Sequence, residues 1–167
     1  MFRILTIALA SLALAACHPK PAPAGQSAAA ESAAAKTFLA QNAKKPGVKV
    51  LPDGLQYEIV HSGPTTGLKP HLNDEVKVMY EGKLVNGLVF DSSYERGQPA
   101  AMPLKGLVKG WQEALQMMRP GDVWTLYVPP ELGYGADGQG PIPGGAALIF
   151  KIELIDVLPG PGTIQAG

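Results

Sequence analysis

Leu107-Val108-Lys109-Gly110-Trp111-Gln112-Glu113-Ala114-Leu115-Gln116-Met117-Met118-Arg119-Pro120-Gly121 is the stretch on which the reading of this chain turns. Trp111, Leu115 and Met118 stand at i, i+4 and i+7 and therefore share one face of a helix. Pro120-Gly121 cannot continue that helix and marks its end. So short a helix is marginal by itself and has to be held by packing. Trp111 then has two possible roles: the centre of a hydrophobic core, or the floor of a ligand pocket with Leu115 and Met118 as the anchor. Periodicity does not choose between them.

Outward from this helix the hydrophobic period changes to two. Leu55, Tyr57 and Ile59 alternate with Gln56, Glu58 and Val60, and Val76, Val78 and Tyr80 alternate with Lys77, Met79 and Glu81. Each run reads as a strand with one buried and one wet face. Asn86-Gly87 between Leu84-Val85 and Leu88-Val89-Phe90 predicts a hairpin. Residues 122–128 and 146–158 are two further strands, the second with Leu148, Phe150, Ile152 and Leu154 on one face. Two irregular stretches remain, 91–106 and 129–145, and loops of that length in a compact domain are usually functional or disordered. The pattern predicts an α+β fold, an antiparallel sheet packed on one short helix.

A chain of 167 residues allows one domain plus extensions, and 46 % apolar residues suffice for a core. The formal net charge is zero and no basic block is interleaved with aromatics, which argues against nucleic acid as a partner. The 20 glycines and 16 prolines concentrate in loops and at both ends.

Residues 1–16 read as a signal peptide: a short basic start with Arg3, an apolar run from Ile4 to Leu14 too short to span a bilayer, and the small residues Ala15-Ala16. Cys17, the single cysteine, follows. Plain secretory cleavage would explain the small residues alone. The segment also resembles a lipobox, and an exported thiol without a disulfide partner favours lipidation at Cys17. That reading anchors the protein to the bacterial envelope, at the outer membrane and facing the periplasm. Residues 17–27 are then the anchor and a Pro/Ala linker, 28–45 a helical spacer capped by Ser27 whose last turn docks on the domain, 46–158 the domain itself, and 159–167 a disordered tail.

Common catalytic motifs are missing: there is no phosphate loop, no dinucleotide fingerprint and no nucleophile elbow. His18, His61 and His71 are scattered without metal-ligand spacing and read as solvated residues. Asp91-Ser92-Ser93 can be read as a capped turn. What stands out is a set of aromatics on strand ends and loops, Tyr80, Phe90, Trp111, Tyr134 and Phe150. Most could be core, Phe150 above all, but Tyr134 lies among glycines, where a large side chain is unexpected unless it covers something.

The segments 78–82 (VMYEG), 89–99 (VFDSSYERGQP), 108–111 (VKGW), 132–135 (LGYG) and 147–154 (ALIFKIEL) occur together in an order that resembles the FKBP-type peptidyl-prolyl cis-trans isomerases. The lead-in 42–57 is similar to the bacterial macrophage-infectivity-potentiator branch, and the resemblance covers about residues 37–158. It implies a twisted antiparallel sheet wrapped around one short helix, with a shallow apolar pocket between them. It implies Trp111 as pocket floor, with Tyr80, Phe90, Met102, Leu107, Val108 and Phe150 as walls and Ile142 closing from its loop. Asp91 falls at the rim, and the Tyr134 hydroxyl and Val108 N–H become donors to substrate carbonyls. Arg96 orients Asp91 or Tyr80 from behind. Asp91, Tyr134 and Phe90 are the residues the resemblance makes catalytic. No cofactor or metal is implied, and the partners are proline-containing exported polypeptides, with macrolides such as rapamycin as possible inhibitors.

Three departures from the family pattern bear on the pocket. Met102 stands where a phenylalanine is common, which makes that wall more flexible. Gly144-Gly145 replaces a common Pro-Asn, and Pro141 precedes Ile142 where a β-branched residue is usual, so the loop's conformation is open. Two further functions stay alongside the isomerase: a binding module that uses the same pocket without useful catalysis, and a lipoprotein of purely structural role.

Overall fold

The computed structural model describes residues 27–160. The expected signal peptide, Cys17 and most of the linker lie outside the described residues, as do the last seven residues of the tail.

Two long strands form the spine. β3 (Glu75–Leu84) and β7 (Leu148–Leu158) pair antiparallel from Glu75 opposite Leu158 to Leu84 opposite Leu148. Around them β1 (Lys49–Val50), β2 (Gln56–His61), β4 (Val89–Ser92) and β6 (Val123–Val128) complete the order β1-β2-β6-β7-β3-β4. β5 (Ala100–Pro103) pairs with β3 off that path. The period-two pattern aims Val76, Val78 and Tyr80 of β3, Trp124, Leu126 and Val128 of β6, and Leu148, Phe150, Ile152 and Leu154 of β7 into one core. That core is closed by α2 (Lys109–Met117), which buries Trp111, Ala114 and Leu115, with Met118 just past its end. Arg119-Pro120-Gly121 turns the chain back into β6, with Gly121 at φ +94°. The expected antiparallel sheet around one short helix is therefore what the chain forms, preceded by a second helix, α1 (Ala28–Asn42), which Ser27 caps through its side chain.

The hairpin at Asn86-Gly87 forms as the dipeptide predicts. Leu84 N–H donates to Leu88 O at 2.9 Å, Gly87 N–H to Leu84 O at 2.9 Å, and Gly87 takes φ +89°, which its missing Cβ permits.

Two expectations need correction. In β2 the alternation is overridden: Gln56, expected to be wet, is only 4 % exposed, and Ile59, expected to be buried, is 37 % exposed. The cause is α1. Its Asn42 Nδ2 donates to Gln56 Oε1 at 3.0 Å, and Gln56 Nε2 donates to Leu39 O at 2.9 Å, so the amide is covered and satisfied. Further along, β2 shifts register between Ile59 and His61 at the sheet margin, where little lies over the side chains. The second correction concerns 91–106, read as irregular. It contains β5, whose Ala-Ala-Met-Pro sequence has too little β-branched character to be recognised but pairs with β3 from Val78–Ala100 to Glu75–Pro103.

Candidate functional site

At the N-terminal end of α2 the core opens into a cavity of about 520 Å³. Trp111 is its floor and is only 4 % exposed. The helix delivers this ring in its first turn because Val108, in extended conformation, caps α2 and accepts from Trp111 N–H at 3.0 Å and Gln112 N–H at 3.1 Å. Tyr80 from β3 stands edge-on to the indole at 5.3 Å and 84°, and Phe150 from β7 edge-on at 5.1 Å and 89°. Phe90 from β4 stands edge-on to Phe150 at 5.6 Å and 86°. These perpendicular pairs put positive ring edges against negative faces and fix the rings' orientation.

One glycine makes the arrangement possible. A Cβ on Gly82 would lie 2.6 Å from Phe90 Cε2 and 2.7 Å from Phe150 Cε1, so the two phenylalanines occupy the space its side chain would take. Trp111 also brings a polar atom into this box. Its indole N–H is buried and finds no partner among the described residues. Trp124 Nε1, which does not line the cavity, is buried and unpaired in the same way, and each such donor costs about 1–3 kcal/mol.

The rim is polar and tightly wired. The Tyr80 hydroxyl donates to Asp91 Oδ2, Arg96 Nη1 donates to Asp91 Oδ1, and Arg96 Nη2 donates to the Tyr80 oxygen at 3.0 Å. Ser93 fastens the strand beneath: Tyr80 N–H donates to Ser93 Oγ at 2.8 Å and Ser93 N–H to Tyr80 O at 2.9 Å. Burial pushes the Asp91 carboxyl up, but the hydrogen bonds from Tyr80 and Arg96 and the guanidinium charge outweigh it and leave it below the usual carboxylate range. The Tyr80 hydroxyl is raised, first by burial and then by its bond to Asp91.

The opposite lip is the loop 129–145. Tyr134 comes from it, and its hydroxyl makes no hydrogen bond among the described residues. Burial first, and the Asp91 charge second, raise its pKa, so it remains a proton donor at neutral pH. The Gly144-Gly145 departure is explained by this loop's tightness. A Cβ on Gly144 would fall 1.9 Å from Ala136 O, and Gly145 has φ +78°. The strand-like pairing of Gln139 with Ile142, by N–H to O bonds of 2.9 Å each way, turns Ile142 inward until it is almost fully buried.

The structure brings Tyr80, Phe90, Asp91, Met102, Leu107, Val108, Trp111, Tyr134, Ile142 and Phe150 to this one cavity. Arg96 stands behind the rim, where it reaches Asp91 and Tyr80 at once. Cys17 lies outside the described residues. The sequence reading missed Gly106, Gln139, Gly140 and Pro141, which also line the cavity. The glycine density of 133–145 was the available signal for three of them. Gly106 gave none, since its place depends on Gln112 Nε2 reaching back to Leu107 O at 2.7 Å and Lys105 O at 3.1 Å.

The sheet wrapped on one helix thus carries an aromatic box at the helix N-terminus. Residues 67–155 match the family of FKBP-type peptidyl-prolyl cis-trans isomerases, and residues 13–59 match the domain amino terminal to them. Over 123 residues the chain is 58 % identical to the peptidyl-prolyl cis-trans isomerase Mip of Coxiella burnetii, covering 73 % of this chain and 53 % of that protein. It is 48 % identical over 121 residues to the outer membrane protein MIP of Legionella longbeachae, covering 72 % and 51 %. The crystal structure of FkpA from Escherichia coli superposes with a TM-score of 0.77 at 41 % identity, over 80 % of this chain and 62 % of that one. The chain belongs to the FKBP-type peptidyl-prolyl cis-trans isomerase family, in the company of Mip proteins, and spans about half the length of the curated relatives it matches.

Proposed function

We propose that this chain is a peptidyl-prolyl cis-trans isomerase that accelerates rotation about Xaa-Pro bonds in exported polypeptides. The observation that carries the reading is the aromatic box of Tyr80, Phe90, Trp111 and Phe150 beside the unpartnered Tyr134 hydroxyl. Rotation about the amide is opposed by resonance, with a barrier of roughly 18–20 kcal/mol, and no bond is made or broken. Neither a nucleophile nor a strong acid is required. The planar amide is the more polar form and is the better solvated by water; the twisted amide has lost that charge separation. A dry pocket removes water's preference and holds the twisted form better than the planar one, and each ~1.4 kcal/mol of that difference gives about tenfold in rate.

In this reading the substrate proline lies on the Trp111 indole, between Tyr80, Phe150 and Ile142. The Val108 N–H, which has no hydrogen bond among the described residues, and the Tyr134 hydroxyl donate to carbonyls flanking the proline. Phe90 and Asp91 border the rotating bond, and Arg96 neutralises the Asp91 charge. Met102 and Leu107 complete the wall. The same apolar floor would take a macrolide of the rapamycin type, with a looser grip at Met102 than a rigid ring would give.

The test is a protease-free isomerisation assay on short Xaa-Pro peptides. We expect activity in the wild type that falls sharply in Tyr134→Phe combined with Phe90→Ala. A wild type without activity overturns the reading.

An envelope location is part of the proposal. It is supported by the signal-like start, by Cys17 as single cysteine, and by the name of the Legionella relative, outer membrane protein MIP. A lipid on Cys17 would hold the domain at the periplasmic face of the outer membrane. Cys17→Ser should release the protein from membranes, and unchanged membrane association overturns the anchor.

A further inference from the structure

The N-terminal helix does more than precede the domain. Along α1 the residues withdrawn from solvent are Glu31, Ser32, Ala35, Phe38, Leu39 and Asn42, and their spacing of three and four marks one continuous face. Ala35, midway, is 2 % exposed. The C-terminal end of this face is clipped to the sheet by the Asn42–Gln56–Leu39 hydrogen bonds, with Phe38 tilted against Tyr127 at 6.0 Å. The N-terminal end lies on the pocket loop. A Cβ on Gly145 would stand 2.6 Å from Ala28 O and 3.1 Å from Ser32 N, so loop backbone meets helix backbone at a distance that glycine allows.

From that contact a short series of backbone hydrogen bonds leads to the pocket. Gly145 N–H donates to Gly135 O at 2.8 Å, Gly135 N–H to Pro130 O at 2.8 Å, and Gly138 N–H to Tyr134 O at 3.1 Å. Gln139 and Ile142 then pair as described above. A half-open cavity of about 340 Å³ remains between Ala28, Ala29 and Ser32 on the helix and Pro130, Glu131 and Ala136 on the loop. The helix therefore meets the loop chiefly around Gly145, beside an unfilled space.

We infer that α1 is a positioning element of the peptide pocket, acting through Gly145 to hold the loop that carries Tyr134 and Ile142. The inference rests on the isomerase reading for its effect on turnover, but not for its structural content. Tyr134 and Ile142 line the cavity from this loop alone, so loosening its support weakens the grip on the bound peptide more than it alters the aromatic floor.

The test uses the full chain with two variants. Ala35→Glu places a carboxylate under the buried face and lifts the helix; Ser32→Pro breaks only its first turns and leaves the Asn42 clip in place. Ala34→Glu, on the exposed face, is the control. Amide hydrogen exchange at Gly135, Gly138 and Gly145 is measured beside KM and kcat on a short Xaa-Pro peptide. We expect faster exchange at those three amides in both variants, with KM raised several-fold and kcat little changed, and Ala34→Glu behaving as wild type. If Ala35→Glu unfolds the protein, Ser32→Pro decides. A folded variant in which α1 amides exchange freely while the loop amides and KM stay at wild-type values overturns the inference. A wild type that is inactive on peptides overturns the isomerase reading instead, and the exchange data then judge the helix-to-loop coupling by themselves.

Discussion

The Tyr80 hydroxyl donates to Asp91 Oδ2 and so ties the pocket wall on β3 to the pocket rim on β4. Arg96 spans both, which makes the rim a three-membered unit rather than a pair. Removing Arg96 takes away the positive charge and two hydrogen bonds while leaving the Tyr80–Asp91 bond. We expect Arg96→Ala to raise the Asp91 pKa toward the ordinary carboxylate value, read by carboxyl carbon NMR. The sign for stability follows. A depressed folded pKa contributes stability that is present above the unfolded value and lost as pH falls through the folded one, so the variant should be less stable than wild type near and above the ordinary carboxylate range, with the difference fading as pH falls below it. Both side chains are nearly half exposed, which keeps the effect small. An Asp91 titration unmoved by Arg96→Ala would refute the unit.

Gly82 is the residue on which the aromatic box depends most directly. Gly82→Ala drives a methyl into Phe90 and Phe150, both of them ring atoms packed edge to face rather than flexible chain ends. Overpacking of this kind costs about 1–3 kcal/mol. Stability should fall by that amount in urea titration, and peptide activity should fall further than the stability loss accounts for, because the rings that move are pocket walls. A variant with wild-type kcat/KM would show that the two phenylalanines do not shape the site.

The parts of this molecule legible in its sequence are those where apolar side chains do the organising. Trp111, Leu115 and Met118 announce α2, and the alternation through Val76–Tyr80 and Leu148–Leu154 announces the spine, because large residues at a fixed period have one way to be buried together. The face of α1 was not legible for the opposite reason. Apart from Phe38 and Leu39 in its last turns, which the sequence did offer for docking, it is built from Glu31, Ser32, Ala35 and Asn42, which carry almost no hydrophobic signal. Gln56 was misread for the same reason, since an amide looks wet until its partners are known. Within the site, the aromatics were readable singly. Their convergence was not, because it depends on pairings such as Gly82 opposite Phe150, and on Gly144 and Gly145 permitting a loop that no side chain could follow.

Near neutral pH, a response in stability should come from α2 rather than from the pocket rim. Hydrogen bonding with Asp53, then burial and the Asp53 charge, push the Glu113 carboxyl up to about 7. Asp53 also holds the turn before β2, accepting from Leu55 N–H at 3.1 Å. A carboxyl whose folded pKa is raised binds its proton more tightly in the native state, so stability is highest at acid pH and declines as pH rises toward and through about 7. Glu113 is half-buried, so the contribution should stay below about 1 kcal/mol. Melting curves of wild type and Glu113→Gln across neutral pH test this: the difference between them should grow in favour of the glutamine form as pH rises. A constant difference would mean that the two carboxyls do not share a proton.

Trp111 and Leu115 lie on one face of α2, one turn apart, and allow the core and the site to be separated by experiment. Leu115 is fully buried and does not itself line the cavity, so Leu115→Ala should cost about 2–5 kcal/mol of stability. The fraction that stays folded should keep its kcat/KM. Trp111 has a packed side against Tyr80 and Phe150 and an open side toward the cavity, and its indole N–H is already unpaired. Replacing it by leucine gives up ring contact but also removes a buried, unsatisfied donor, and the two partly offset each other. Trp111→Leu should therefore be the milder change in denaturant and the harsher one in the isomerisation assay, lowering kcat/KM by about tenfold or more as the flat surface for the proline is lost. The reverse order, with Trp111→Leu the more destabilising and the less damaging to activity, would make Trp111 a core residue and move the peptide site elsewhere.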